Sequence, residues 1–112
     1  MAARRRLDLA EAALQADPAG AVSAAYYAML YAARALLSEQ DVYVKTHAGT
    51  WHLLRRRFVL TGQIDASLVS RVQGVQRQRE RADYEAWMAD EGEGREVVRL
   101  AREFLGVAES LL

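Results

Sequence analysis

"PAGAVSAAYYAMLYAARALLSEQ", residues 18–40, decides the fold. Asp17 just before it reads as a helix N-cap, and Pro18 as a first-turn residue whose missing N–H costs the helix nothing. Val22, Ala25, Tyr26, Met29, Ala33 and Leu36 make one apolar face, and Tyr27, Leu30 and Tyr31 make another. A helix apolar on nearly all sides is either central to its bundle or covered on one side by a partner. Its apolar run is too short to span a bilayer, and Ser23 and two adjacent tyrosines interrupt it.

Four further helical segments surround it. The first runs from about Ala3 to Gln15, with Leu7, Ala10 and Leu14 as its stripe. "QDVYVKT" (40–46) is a loop. The third segment starts at Thr46, an N-cap, and ends near Gly62, a C-cap, with His47, Trp51, Leu54 and Phe58 on one stripe. The fourth runs from about Asp65 to Trp87. There Leu68, Val72, Val75 and Arg79 follow helical spacing, so Arg79 continues the apolar stripe instead of leaving it. "ADEGEG" (89–94) reads as a loop. The fifth starts near Arg95 and carries Val97, Ala101, Phe104, Ala108 and Leu111. With one proline and no strand-like alternation, the pattern predicts an all-α, antiparallel up-down bundle of four to five helices, formed by residues 1–112 as a single domain.

The chain has no cysteine, which excludes disulfides, thiolate metal sites and cysteine nucleophiles. His47 and His52 are too far round a helix from each other to share a metal, so neither a metal nor a cofactor is expected. Asp8 and Glu11 interrupt what would be the apolar part of a signal peptide, and a cytoplasmic protein that does not engage a membrane is expected. Formal net charge is zero, but residues 45–81 hold eight bases against two acids, a net +6, while 82–112 carry −5. A local basic surface for phosphate or RNA is compatible with that sum, and so is a set of ordinary solvated helix faces.

"QRERADYEAW" (78–87) holds the most chemistry. Arg79 and Asp83, four apart, can pair on one helix face. As a surface pair they contribute a few tenths of a kcal/mol. An arginine fixed on a core-facing stripe can instead offer its planar guanidinium to a phosphate at two points.

Three segments, "AVSAAYYAMLYAARALL" (21–37), "VKTHAGTWHLLRRRF" (44–58) and "RERADYEAW" (79–87), occur in an order and at separations that resemble the HEPN superfamily of small helical bundles. The similarity is greatest to its prokaryotic stand-alone branch, marked by a tyrosine pair, a Lys-Thr-His loop and Arg-x-x-Ala-Asp-Tyr, and it covers about residues 5–110. The resemblance implies a homodimer that associates with a minimal nucleotidyltransferase in a toxin–antitoxin-like pair. It also implies phosphate or RNA contacts through Arg79, Lys45 and Arg81. Many members are metal-independent ribonucleases that use an arginine followed shortly by a histidine. Arg79 matches the arginine, but no histidine follows it; Asp83 and Tyr84 stand there. Ala24 stands where relatives often carry an arginine. Tyr84 is also the position that a partner nucleotidyltransferase would adenylylate. Tyrosine, with a reference pKa of about 10, is a poor general base. His47 could serve if the start of the third helix lies beside the end of the fourth. The favoured reading is therefore a nucleotide- or RNA-binding module. The alternatives are a ribonuclease using Arg79, Asp83, Tyr84 and His47, and a purely structural dimer subunit.

Overall fold

The computed structural model describes residues 2–85 and 90–112, with side chains at all of these except 81–85. Among the described residues five α-helices follow one another: α1 (Ala2–Ala13), α2 (Pro18–Ser38), α3 (His47–Leu54), α4 (Ala66–Glu85) and α5 (Glu91–Leu111). A π-helical turn, Arg55–Val59, prolongs α3.

Helix α2 is the hub and packs against each of the other four. Asp17 caps it through the Gly20 N–H at 3.0 Å, with Pro18 in the first turn. Most of it is buried, from Ala21 and Val22 through Tyr26, Met29 and Leu30 to Leu37, while Ala24, Tyr27 and Tyr31 line a half-buried stripe. The helix is thus central to the bundle, and the Tyr27–Tyr31 side is the one the chain covers least. Much of the α1 contact is small-residue packing: Ala3, Leu7 and Ala10 repeat at helical spacing and are all buried.

Ion pairs fix the directions. Arg4 meets Glu109 at 2.6 Å and Glu11 meets Arg102 at 2.8 Å, so α1 and α5 run antiparallel. Arg71 on α4 meets Glu103 on α5 at 3.2 Å, consistent with an α4–α5 hairpin. The four long helices alternate in direction, and α3 with its π turn bridges α2 and α4. These pairs are exposed and tune register more than stability.

Thr46 caps α3 as expected, its hydroxyl accepting from the Gly49 N–H at 3.0 Å. The π turn closes with Leu60 N–H donating to the Arg55 carbonyl at 2.9 Å. It is tied to α4 because Arg55 donates to Gln73 Oε1 at 2.6 Å and Ser70 Oγ at 3.1 Å. Gly62 then reverses the chain at φ +79°, where a side chain would be strained.

The reading of 91–94 as loop is corrected, while residue 89 lies outside the described residues. Asp90 caps the Glu93 N–H at 2.8 Å and α5 begins at Glu91. Two glycines made the segment look irregular. Yet Glu91 and Glu93 suit the positive end of a helix, and Gly94 is buried. A Cβ on Gly94 would press within 3.2 Å of Leu14, so the glycine serves close helix packing rather than a turn.

Candidate functional site

Tyr26 and Tyr27 are neighbours in sequence and so point about 100° apart around α2. Tyr26 turns fully inward, while Tyr27 stays half-buried at the edge. Their rings meet edge to face with centroids 5.6 Å apart, which makes a two-walled aromatic corner. The Arg79 guanidinium, arriving from α4, lies 5.4 Å from the Tyr26 centroid and 5.1 Å from that of Tyr27. Both distances are within cation–π range. Arg79 does continue the apolar stripe of its helix, and the two rings are what it meets there. A guanidinium carries its N–H donors in one plane, which suits it to read carboxylate or phosphate.

The third wall comes from α3. His47, the first residue after the Thr46 cap, places Nδ1 3.0 Å from the Tyr26 hydroxyl. Its ring meets Tyr27 edge-on at 6.0 Å between centroids. Trp51, one turn further and fully buried, donates its indole N–H to the same Tyr26 hydroxyl at 3.3 Å. The indole can only donate, so it occupies a lone pair on the phenol oxygen. A second lone pair and the phenol proton remain, so His47 Nδ1 either accepts that proton, with the ring proton on Nε2, or donates its own to the oxygen. The first tautomer offers a ligand a donor at Nε2. The second offers a lone pair there, as a base requires.

Electrostatics favour the same neutral state. Burial lowers the His47 pKa from 6.5, and the charges of Arg34 and Arg79 lower it further against an opposing effect of Glu80. Burial also raises the Tyr26 phenol above its ordinary value near 10, with the Trp51 hydrogen bond and Arg79 acting in the other direction. Tyr26 therefore stays protonated at neutral pH and acts as a hydrogen-bonding post.

Arg34 supports the loop beside this corner. It donates to Thr50 Oγ1 at 3.3 Å and to the Lys45 carbonyl at 3.2 Å. Thr50 in turn donates to the Thr46 carbonyl at 2.8 Å. The start of α3 is thereby locked to α2, which fixes where His47 stands.

Of the residues expected from sequence, Arg79 and His47 are brought to one corner, and the start of α3 does lie beside the late part of α4. Lys45 is exposed, two residues before His47. The side chains of Arg81, Asp83 and Tyr84 lie outside the described residues, and so does the expected Arg79–Asp83 pair. Sequence reading missed Tyr26 as the shared post, Trp51 as its donor and Arg34 as the brace. A signal existed for the first two: buried tyrosine and tryptophan tips require partners. Which partners they find depends on contacts across 25 residues of chain. A separate open groove of about 600 Å³ runs between α4 and α5, floored by Gly74, Val75, Val97 and Leu100, and none of the tyrosine corner lines it.

Among the described residues no group of three or more His, Asp or Glu is placed to hold a metal ion. No helix among them is long and apolar enough to cross a membrane.

The family model described as HEPN domain matches residues 1–111. A protein of Methanocaldococcus jannaschii named "Putative toxin MJ0142" is 33% identical over 66 residues, a stretch covering 59% of this chain and 45% of that relative. The matched stretch is thus less than half of the relative's length. No solved structure matches the chain.

Proposed function

Because the chain belongs to the HEPN domain family, we propose that its tyrosine corner binds the phosphate of a nucleotide or RNA strand. Arg79 is the phosphate-holding residue and His47 Nε2 a second donor. The observation that carries this reading is the Arg79 guanidinium seated against Tyr26 and Tyr27 beside a neutral-favoured His47. Two aromatic rings within cation–π range hold the guanidinium at the corner. Lys45, exposed two residues before His47, extends the positive surface, and the proposal gives Arg81 the same role. The relatedness to a protein named as a toxin supports a two-component, toxin–antitoxin-like role. In that role the chain forms a homodimer, pairs with a minimal nucleotidyltransferase and presents Tyr84 for adenylylation.

One observation favours a second reading, a metal-independent ribonuclease. His47 meets the same Tyr26–Tyr27 corner as Arg79, and its pKa is lowered so that the neutral form is favoured. Asp83 and Tyr84 would then complete the catalytic set with Arg79. Binding is put first because holding a phosphate needs only the Arg79 guanidinium and a donor, whereas cleavage also needs a base for the 2′-hydroxyl.

The test incubates purified protein with a mixed RNA pool in EDTA, alongside Arg79→Ala and His47→Ala. Retention of RNA by the parent, weakened in Arg79→Ala and without cleavage, supports the binding module. Cleavage lost in both variants establishes the ribonuclease. Equal retention by the parent and Arg79→Ala sinks the phosphate role.

A further inference from the structure

The loop between α2 and α3 carries an exposed aromatic side chain that neither the core nor the corner uses. Tyr43 is 78% exposed, among the most exposed large apolar residues described. Its neighbours explain why it points outward. Residues 42–45 run without helical structure, and Thr46 continues them at φ −97°, ψ 151°. Along an extended chain successive side chains alternate. Val42 and Val44 pack against the core, while Tyr43 and Lys45 face solvent. Two apolar anchors therefore hold an aromatic ring and an ammonium on one outer side, roughly 6.6 Å apart along the backbone. Arg34 pins the segment by its hydrogen bond to the Lys45 carbonyl, and His47 of the corner is two residues further on. At the other end, Arg57 reaches Gln40 at 3.4 Å. The acids Glu39 and Asp41 are also exposed there, in the turn ahead of Tyr43.

We propose that Tyr43 and Lys45 form a single-strand subsite continuous with the corner, in which Tyr43 stacks an unpaired base and Lys45 holds the adjoining phosphate. The inference rests on the corner's reading as a phosphate site and names its ligand class: single-stranded RNA, rather than a duplex. A pinned, solvent-facing tyrosine beside a cation suits an unstacked base, because every base offers a π-face and affinity then needs no base-edge reading. A duplex keeps its bases stacked on one another and offers no free face to the ring. The acids of the turn end the favourable path, so the strand runs from Arg79 past Lys45 to Tyr43 and no further.

Fluorescence anisotropy tests this with a labelled oligoadenylate strand, its duplex with oligouridylate, and AMP. The proteins are the full chain and its Tyr43→Ala, Tyr43→Phe, Lys45→Ala and Arg79→Ala variants. Tyr43→Ala is expected to weaken single-strand binding about tenfold, while Tyr43→Phe retains it and AMP binding does not change. Lys45→Ala lowers the salt dependence by about one phosphate contact. At this degree of exposure Tyr43→Ala should melt with the parent, so loss of folding does not confuse the result. Single-strand affinity unchanged in Tyr43→Ala but lost in Arg79→Ala would overturn the subsite and leave the corner standing. Duplex bound as tightly as single strand would also overturn it. A change of molar mass in Tyr43→Ala with RNA affinity intact would assign Tyr43 to a protein contact instead. RNA and AMP unbound by the parent would instead overturn the corner's reading itself.

Discussion

Replacing Tyr26 by Phe removes a single oxygen, yet that oxygen ties α2 to two residues of α3. It accepts from the Trp51 indole at 3.3 Å and meets His47 Nδ1 at 3.0 Å. Tyr26 and Trp51 are both fully buried. Volume and ring packing are nearly preserved, so the cavity contribution is small and the polar loss dominates. Depriving a buried donor of its acceptor costs about 1–3 kcal/mol. For a domain of this size each kcal/mol lowers Tm by about 4 °C, so Tyr26→Phe should melt roughly 4–12 °C below the parent. Scanning calorimetry and urea denaturation measure this. A double-mutant cycle with Trp51→Phe separates the pair from the ring packing. The double variant should be less destabilised than the two single losses combined, by about 1 kcal/mol, because it leaves no orphan N–H. Nitrogen NMR of the His47 ring gives an independent readout: one tautomer held by the Tyr26 hydroxyl in the parent and a mixture in Tyr26→Phe. A Tm shift under about 2 °C with zero coupling would refute the role of the hydroxyl as a structural post.

Protonation of His47 opposes folding. Its folded pKa lies below 6.5, so the unfolded chain binds the proton more readily. The His47 contribution is therefore fully favourable above 6.5 and is lost as pH falls from there through the lowered folded value. Urea midpoints between about pH 7.5 and 5.5 should fall less steeply in His47→Gln than in the parent. Thr46→Ala removes the acceptor for the Gly49 N–H and should cost about 1 kcal/mol; urea denaturation reads it, and equal stability would mean solvent replaces the cap. Gly62→Ala meets no neighbouring atom within 4 Å, so its cost of about 1 kcal/mol is backbone strain at φ +79° alone. A stability gain in that variant would show the positive φ is not needed.

Periodicity made most of the bundle legible. The α2 face Val22, Ala25, Tyr26, Met29, Ala33 and Leu36 is buried as read from sequence, whereas of its second face only Leu30 is, and Val97, Ala101, Phe104 and Ala108 are buried together on α5. Asp17, Thr46 and Gly62 marked element ends because cap and turn chemistry is local. The start of α5 was hidden, since Gly92 and Gly94 carry a weak helical signal and the packing reason for Gly94 lies on Leu14. The π turn was equally invisible, because nothing in "RRRFV" distinguishes it from an α-helical turn. At the site, Arg79 was legible as a cation on an apolar stripe. Its seat was not: the Tyr26–His47–Trp51 junction joins residues 21 to 25 positions apart, and only the crossing of α2 and α3 brings them together.

The most direct measurement is an NMR titration of the full chain with AMP, following the Arg79 side-chain Nε–H, the His47 ring and the tyrosine rings. Phosphate held in the corner should move the Arg79, His47 and Tyr27 signals together with one saturation curve, and Arg79→Ala should abolish the movement. Shifts confined to the α4–α5 groove around Gly74 and Leu100, with the corner unmoved, would contradict a phosphate site at Arg79.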